Sequence, residues 1–240
     1  MWHLLSLVIG LVLGSFLNVV IYRLPRKNLS ISRPSYSICP SCGERILWHD
    51  NIPVISYILL RGRCRKCKAK ISPRYPFVEL ANGFCYLINS YVALNSLEFI
   101  ALCLLISCSL IIAFIDLEFM LIPDVTLFLV ALASFMVWLV RGFGLYNLLG
   151  VAMVTALMIV LGLLYRGGLG SGDIILMAAL SLSLGVISSF YTLILASVSA
   201  IVYALIKNKG KLLMKQKIPF GTFLAPAGYV FLLIQRYIPM

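Results

Sequence analysis

Charged side chains are scarce in this sequence, and acidic ones are the scarcest. Only 8 of the 240 residues are Asp or Glu, against 20 Lys and Arg, and charged residues make up 12% of the chain. Hydrophobic residues make up 62%, and the mean hydropathy is +1.03. A soluble domain of this size could not cover its surface with so few polar side chains, so a soluble fold is excluded. Several uncharged runs of about 20 residues instead match the hydrocarbon core of a membrane.

The N-terminus also lacks the positive charge of a secretory signal. The first three residues contain no Lys or Arg, and the apolar run 4–22 that follows ends at Arg23. A signal peptide would begin with basic residues and end in a small-residue cleavage site. The run is therefore predicted to remain as a helix whose N-terminus is outside. Gly14 and Asn18 inside it are expected to face another helix rather than lipid.

Eight apolar segments are predicted to be membrane helices, so the fold class is an all-α, polytopic integral membrane protein. They cover residues 4–22, 77–94, 97–115, 125–140, 146–165, two parts of 174–206, and 223–234. The stretch 174–206 is divided because a single helix of that length would extend about 50 Å, against a hydrocarbon core of about 30 Å. Gly185 permits a break there. The sequence contains no internal repeat and no low-complexity segment.

The basic residues indicate the direction of insertion, because Lys and Arg accumulate on the cytoplasmic side of a membrane. With eight spans and both termini outside, 18 of the 20 basic residues are cytoplasmic, and only Arg141 and Arg236 are outside. The net charge of +12 is therefore interpreted as topology rather than as nucleic-acid binding. Three regions follow: a first transmembrane helix (1–22), a cytoplasmic loop (23–76) and a seven-helix membrane core (77–240).

Four of the seven cysteines lie in the cytoplasmic loop as two C-x-x-C pairs. The pairs are Cys39 with Cys42 and Cys64 with Cys67, and 21 residues separate them. This spacing is close to that of tetrathiolate zinc sites, and cytoplasmic thiols stay reduced. The loop is therefore predicted to be zinc-ribbon-like, with one structural zinc. The basic residues around the second pair would offset the charge of the metal centre or contact anionic headgroups.

Three of the four aspartates lie beside apolar runs, where an ionisable side chain is costly and indicates function. In the predicted topology, Asp116 ends the third span, Asp124 begins the fourth and Asp173 begins the sixth, all on the cytoplasmic side. Two carboxylates in close contact cannot both ionise easily, so such a pair holds one proton. One member can then take a proton from water while the other protonates a scissile carbonyl. The pair Asp116 and Asp173 is therefore the candidate catalytic pair.

Other interpretations of these residues stay open at this point. A Gly-rich segment followed by Asp173 also fits a simple turn before a helix, where the helix dipole favours an acidic residue. A proton- or cation-coupled transporter could use the same membrane carboxylates. A scaffold protein built on the zinc loop would need neither aspartate.

Six blocks of the sequence together resemble the bacterial type IV prepilin peptidases, a family of membrane aspartic peptidases of the GxGD type. The blocks are GSFLNVVIYRLP (14–25), NIPVISY (51–57), RYPFVEL (74–80), IDLEFMLIPD (115–124), GLGSGD (168–173) and IPFGTFL (218–224), and the two C-x-x-C pairs belong to the same pattern. The resemblance implies that Asp116 and Asp173 are the catalytic pair and that Asp124 has a supporting role. A Lys often stands two residues after the motif aspartate in this family, and here that position is Ile175.

The resemblance also implies a substrate, a second activity and a location. The substrate would be a prepilin or pseudopilin, cleaved after a Gly at the cytoplasmic boundary of the bacterial inner membrane. Many members then methylate the new N-terminus with S-adenosylmethionine, and a cytoplasmic cysteine loop is typical of those members. The sequence contains no G-x-G-x-x-G nucleotide-binding fingerprint. The methyl donor is therefore an expectation from the resemblance alone, with no binding residues assigned.

Overall fold

The chain folds almost entirely into helices. A computed structural model describes residues 1–26, 29–34, 36–142, 144–164, 169–209 and 217–238. The helices are α1 (Trp2–Arg23), α2 (Ile55–Leu59), α3 (Arg74–Val92), α4 (Ser96–Phe119), α5 (Asp124–Arg141), α6 (Leu145–Leu164), α7 (Ser171–Lys207) and α8 (Gly221–Ile234), with a 3-10 turn at Trp48–Asn51. Within the described ranges there is no strand, only two isolated β-bridges. The expected all-α fold is confirmed.

The chain divides into two compact units, Met1–Tyr91 and Val92–Met240. The predicted boundaries at residues 22 and 76 separate membrane segments from a cytoplasmic segment and do not define compact units. They therefore stay a prediction. The first unit holds α1, the cysteine loop with α2, and nearly all of α3.

Small residues let α1 and α3 pack closely in the first unit. A Cβ added at Gly10 would lie 2.8 Å from the Cα of Gly83, and one added at Gly14 would lie 2.7 Å from the Cα of Glu79. Asn18 is buried, and its side-chain amide donates to the carbonyl of Tyr75 at 3.1 Å. Gly14 and Asn18, expected to face another helix, thus both lie against α3. Close backbone approach of this kind is how helices associate in lipid.

The second unit is a bundle of α4, α5, α6, α7 and α8. Helix α7 packs on α5, α6 and α8, while α4 packs on α5 and α8. Helix α4 has most of its length buried inside the protein, whereas α6 is mostly exposed. Helix α4 therefore forms the centre of the bundle, and the exposed apolar side chains of α6 suit a lipid environment.

Helix α7 breaks at Gly185, as the length argument predicts. Gly185 has φ 71° and ψ −169°, outside the helical region. Two side chains from α6 bind backbone groups near the break. The Asn147 amide donates to the Leu182 carbonyl at 3.0 Å, and the Ile187 N–H donates to the Tyr146 hydroxyl at 3.0 Å. In a membrane such groups cannot turn to water, so neighbouring helices must satisfy them.

Five of the described helices are long and apolar enough to cross a membrane: α1, α4, α5, α6 and α7. Helix α8 is apolar but has only 14 residues. Every segment predicted to span is helical, but the count of eight crossings and its parity stay predictions. Parts of the predicted topology fall outside the described residues, namely Tyr165, Gly168 and part of the lysine-rich segment 207–217.

Candidate active site

Asp116 lies in the last turn of α4 and is 6% exposed. Helix α4 ends three residues later because Met120 adopts a left-handed conformation (φ 53°), and its N–H donates to the carbonyl of Asp116 at 2.8 Å. This αL ending closes the helix and redirects the chain toward α5. The carboxylate is therefore held at one end of the central helix of the bundle.

The start of α8 supplies hydrogen-bond donors to Asp116. The backbone N–H of Thr222 donates to Asp116 Oδ2 at 2.8 Å, and the Thr222 hydroxyl lies 3.2 Å from the same oxygen. The first N–H groups of a helix have no partner within the helix, so a carboxylate is a natural acceptor there. Helix α8 thus fixes the position of one oxygen of Asp116.

Asp173 lies in the first turn of α7, which begins after Gly170. Its N–H donates to the carbonyl of Gly170 at 3.1 Å, which places the side chain beside the glycine-rich segment. Oxygen Oδ1 of Asp173 is buried and has no hydrogen-bond partner in the part of the chain that the structure describes. An unpaired buried oxygen is costly, which is the kind of group expected where a substrate or a water binds.

Gly221 joins the two carboxylates. A Cβ added to this glycine would lie 3.2 Å from Asp116 Oδ2 and 3.3 Å from Asp173 Oδ1. Both oxygens therefore lie close to one point, and their separation cannot exceed the sum of those distances. The structure brings together Asp116 and Asp173, the two aspartates that charge and topology had paired.

Ile122 packs against the two glycines of this site. A Cβ at Gly221 would lie 2.8 Å from Ile122 Cδ1, and a Cβ at Gly172 would lie 3.3 Å from Ile122 Cβ. Glycine at both positions leaves room for this apolar side chain beside the carboxylates. Ile122 therefore supplies an apolar wall, where electrostatic interactions are less screened than in water.

The remaining acidic residues of this region differ from the pair in being exposed. Asp124 begins α5 and is exposed, which fits a residue that stabilises the N-terminal turn of its helix. Glu118, in the last turn of α4, is also exposed. Gly168, the first glycine of the GLGSGD motif, lies outside the described residues.

Sequence reasoning assigned no role to Thr222, Gly221 or Ile122. All three stand in blocks that support the family resemblance, IDLEFMLIPD and IPFGTFL, so a signal was present. Nothing in the order of residues indicates that position 222 meets position 116, because 106 residues separate them. Only the packing of α8 on α4 brings them together.

The four loop cysteines form a second cluster. The sulfur atoms of Cys39, Cys42, Cys64 and Cys67 all lie within 4.8 Å of one another, and Cys39 and Cys67 are 3.9 Å apart. A tetrahedral zinc with sulfur ligands at about 2.3 Å would have its sulfurs about 3.8 Å apart. The donor type and the spacing therefore fit one zinc ion, and the four thiols could hold it.

Each cysteine pair sits in the same kind of tight turn. The β-bridges Ile38 to Arg45 and Arg63 to Lys70 enclose the two pairs. After each second cysteine comes a residue in the left-handed conformation, Gly43 in the first turn (φ 71°) and Lys68 in the second (φ 59°). This repeated geometry points both thiols of each pair to one side.

Ionisation of these thiols is unequal. Burial raises the pKa of the Cys39 thiol, but backbone hydrogen bonds at Cys42 and Ser41 help to lower that pKa to about 7. A backbone hydrogen bond at Glu44 lowers the pKa of Cys42, yet burial and the neighbouring thiols raise it to about 11. Thiolates packed this closely repel each other, and a divalent cation would let all four ionise.

Comparison with known protein families covers most of the chain. Residues 8–93 match the Bacterial Peptidase A24 N-terminal domain, and residues 103–205 match the Type IV leader peptidase family. The chain belongs to the type IV leader peptidase family. The family resemblance of the six blocks is therefore confirmed, and the protein is an enzyme of a protease family.

Full-length relatives support the same assignment. A prepilin leader peptidase/N-methyltransferase of Stutzerimonas stutzeri is 37% identical over 96% of this chain and 90% of its own length. One of Klebsiella pneumoniae is 37% identical over 83% of the chain and 92% of its own length. A type 4 prepilin-like proteins leader peptide-processing enzyme of Escherichia coli is 33% identical over 96% and 93%. No solved structure matches the chain.

Family membership and the apolar helices together establish the location. With five helices able to cross a membrane, this family member is a multi-pass protein of the bacterial inner membrane. Asp116 and Asp173 lie inside the match to the Type IV leader peptidase family. Helix α8, which donates hydrogen bonds to Asp116, lies outside that match. The four cysteines lie inside the match to the N-terminal domain.

Proposed function

We propose that this protein is a membrane aspartic endopeptidase that removes the short basic leader from type IV prepilins or pseudopilins. The observation that supports this best is the closeness of both carboxylates to Gly221, since Asp116 Oδ2 and Asp173 Oδ1 would lie 3.2 and 3.3 Å from its added Cβ. Two carboxylates facing one point are the arrangement that aspartic proteolysis needs. Relatives that match nearly the whole chain are named for leader processing of prepilins or prepilin-like proteins.

In the proposed reaction, Asp116 and Asp173 share one proton and hold a water between them. The ionised carboxylate takes a proton from the water, whose oxygen attacks the carbonyl carbon of the scissile bond. The protonated carboxylic acid gives its proton to the carbonyl oxygen. When the tetrahedral intermediate collapses, the carbon–nitrogen bond breaks and the leaving amine takes a proton from the pair. Thr222 orients Asp116 throughout, through its N–H and hydroxyl.

The proposed cleavage position is a glycine at the cytoplasmic boundary of the membrane. Asp116 ends α4 and Asp173 begins α7, so both lie at helix ends rather than at mid-membrane depth. The distribution of Lys and Arg in the sequence assigns those ends to the cytoplasm. A prepilin would then place its apolar segment in the bilayer and its basic leader in the cytoplasm.

The test compares two aspartate variants with a matched control. Asp116→Asn and Asp173→Asn are each expected to lower the rate of leader removal by at least about a thousandfold, because the shared proton and the general base are lost. Asp124→Asn removes an exposed carboxylate from the same region and is expected to keep nearly normal activity. Purified protein is incubated with a prepilin in detergent, and cleavage is measured by mass. Normal cleavage by either of the first two variants would overturn the assignment.

The same proteins distinguish the competing transporter interpretation. A proton- or cation-coupled transporter would move ions across liposome membranes in a manner that depends on Asp116 and Asp173, without cleaving a prepilin. Cleavage of the leader by the unchanged protein, together with the absence of ion flux, supports the peptidase. Ion flux without cleavage of the prepilin would show that the protein is a transporter and not a peptidase.

We also propose that the protein methylates the new N-terminal amine with S-adenosylmethionine. The support is the name of several relatives, prepilin leader peptidase/N-methyltransferase, and no residues are assigned to the donor. Labelled S-adenosylmethionine in the cleavage assay should label the mature pilin and not the uncleaved precursor. Complete cleavage with no label in the product would rule out the second activity.

A further inference from the structure

Helix α2 presents an apolar face that is exposed in the part of the chain that the structure describes. Ile55, Ile58 and Leu59 follow the i, i+3, i+4 pattern of one helix face, and they are 55%, 67% and 75% exposed. Trp48, just before this segment, is 81% exposed. Large apolar side chains clustered in this way are an interaction surface.

The position of α2 within the first unit indicates what covers this face. The N–H of Val54, the residue before α2, donates to the carboxylate of Glu79 at 2.7 Å. Glu79 is also hydrogen-bonded by the side chain of Ser15 in α1. Ser15 lies eight residues before Arg23, where α1 ends, which corresponds to about 12 Å along the helix axis. The start of α2 therefore lies beside the membrane-crossing part of α1, not beyond its end.

Basic residues follow the apolar face immediately. After α2, Arg61 and Gly62 both have positive φ (51° and 64°), and they turn the chain back toward the second cysteine turn. The Tyr57 ring packs on this turn, because a Cβ at Gly62 would lie 3.1 Å from its hydroxyl. This packing holds the cations that follow close to the apolar face.

These residues line a cavity of about 510 Å³ between α2 and the second cysteine turn. Its walls include Leu59, Leu60, Arg61, Arg63, Arg65 and Lys68, together with the metal-site residue Cys64. Arg65 is paired with Asp50 through two hydrogen bonds of 2.7 Å. The other three cations have no ion pair in the described part of the chain, so they outnumber the two negative charges of a Zn(Cys)4 centre.

We propose that the segment from Trp48 to Lys68 is an anionic-lipid docking site. The apolar face of α2 would enter the cytoplasmic leaflet, and the cavity lined by Arg61, Arg63 and Lys68 would bind the phosphate of an anionic phospholipid. The observations that support it are the depth of Val54 beside α1, the exposed apolar face and the unpaired cations next to it. Basic residues near an anionic leaflet and interfacial Trp are the features that membrane-surface segments share.

The test uses Trp48 as a reporter of lipid contact. Trp2→Phe and Trp138→Phe leave Trp48 as the only tryptophan, because the chain contains three. The full chain is placed in nanodiscs of phosphatidylcholine with a minority of phosphatidylglycerol. Bromine, which quenches tryptophan fluorescence, is attached either to the phosphatidylglycerol or to an equal amount of phosphatidylcholine. We expect at least threefold stronger quenching from the brominated phosphatidylglycerol.

Two pairs of substitutions separate the charge from the apolar face. Arg61→Ser with Arg63→Ser should bring quenching by the two brominated lipids close to equality, since each basic residue near an anionic leaflet contributes about a fivefold factor to binding. The control Arg236→Ser removes a charge elsewhere and should keep the preference. Ile58→Ser with Leu59→Ser should weaken quenching from both lipids. Zinc content, measured for each variant, reports whether the loop is still folded.

Three outcomes would overturn the proposal. Equal quenching from the two brominated lipids would show that the segment does not prefer an anionic lipid. No quenching from either lipid would show that the segment does not enter the leaflet. Loss of the phosphatidylglycerol preference on addition of millimolar inorganic phosphate would assign the cavity to a soluble phosphate compound instead. None of these results depends on leader cleavage, so the docking site and the peptidase are tested separately.

Discussion

Gly221 matters because of what a side chain would do there. A methyl group would come within 3.2 Å of Asp116 Oδ2, 3.3 Å of Asp173 Oδ1 and 2.8 Å of Ile122 Cδ1. Contacts this short must be relieved by moving the carboxylates or the helices that bear them. The glycine thus allows α8 to approach both aspartates at once.

The first residue-scale prediction is that Gly221→Ala lowers kcat of leader cleavage about a hundredfold, because a displacement of about 1 Å at a catalytic pair has an effect of that size. The control is Gly162→Ala in α6, whose added Cβ would meet only an ordinary contact at 3.8 Å. Both variants should fold, as judged by thermal stability in detergent. Equal activity of the two would show that the space at Gly221 is irrelevant to the reaction.

The second residue-scale prediction concerns the hydroxyl of Thr222. Thr222→Val keeps the shape and the backbone N–H but removes the hydroxyl, which lies 3.2 Å from Asp116 Oδ2 and 3.0 Å from the carbonyl oxygen of Ala113. A hydrogen bond to a charged group contributes about 1.5–3 kcal/mol, so kcat should fall by about tenfold or more. Thr222→Ser restores the hydroxyl and should restore most of kcat. If Ser behaves like Val, the methyl group rather than the hydroxyl positions the carboxylate.

At the scale of elements, the cysteine loop has little regular secondary structure. The loop contains one 3-10 turn and one short helix, so it has little apolar core of its own. Its two cysteine turns are held by the bridges Ile38 to Arg45 and Arg63 to Lys70. A metal ion that joins the turns would supply the stability that a small loop lacks.

The element-scale prediction is that Cys39→Ser removes zinc from the purified protein. Three thiolates remain, but the closed tetrahedral site is lost. Cys85→Ser is the control, because Cys85 lies in α3 outside the cluster and should leave the zinc content at one per chain. Metal content is measured by atomic emission. Unchanged metal in the Cys39 variant would exclude the four-thiolate site.

At the scale of the whole molecule, the chain has 20 basic residues and 8 acidic residues, so a basic leader meets few attractive groups. The structure narrows the candidates further. Glu44 pairs with Lys66, Asp50 with Arg65, Glu98 with Arg141, and Glu79 accepts a hydrogen bond from the Val54 N–H. Any attraction for a basic leader therefore falls to the acidic groups near the active site, namely Asp116, Glu118, Asp124 and Asp173.

The whole-molecule prediction is that added salt raises KM for prepilins with several leader lysines. The screening length shortens from about 10 Å at 0.1 M salt to about 3 Å at 1 M, so the attraction weakens. A leader of equal length with Gln in place of Lys should show a KM that hardly changes. Cleavage rates at several salt concentrations provide the comparison. Equal salt dependence of the two leaders would remove electrostatic attraction as a source of affinity.

Much of the fold and part of the site could be predicted from the sequence. The helices follow from uncharged runs, the break in α7 from its excess length, and the cysteine cluster from two pairs of regular spacing. The partnership of Asp116 and Asp173 followed from topology, because both were assigned to the same membrane side. The two compact units, and the exposed apolar face of α2 beside Arg61, were not visible in residue order.

The sequence by itself determined what depends on solvent and on local spacing. Apolar runs must leave water, the bias of Lys and Arg predicts which side is cytoplasmic, and two C-x-x-C pairs predict one metal site. Only the tertiary structure decided what depends on contact between distant segments. The position of Gly221 and Thr222 at the carboxylates results from packing α8 on α4, and packing has no local signal in the chain.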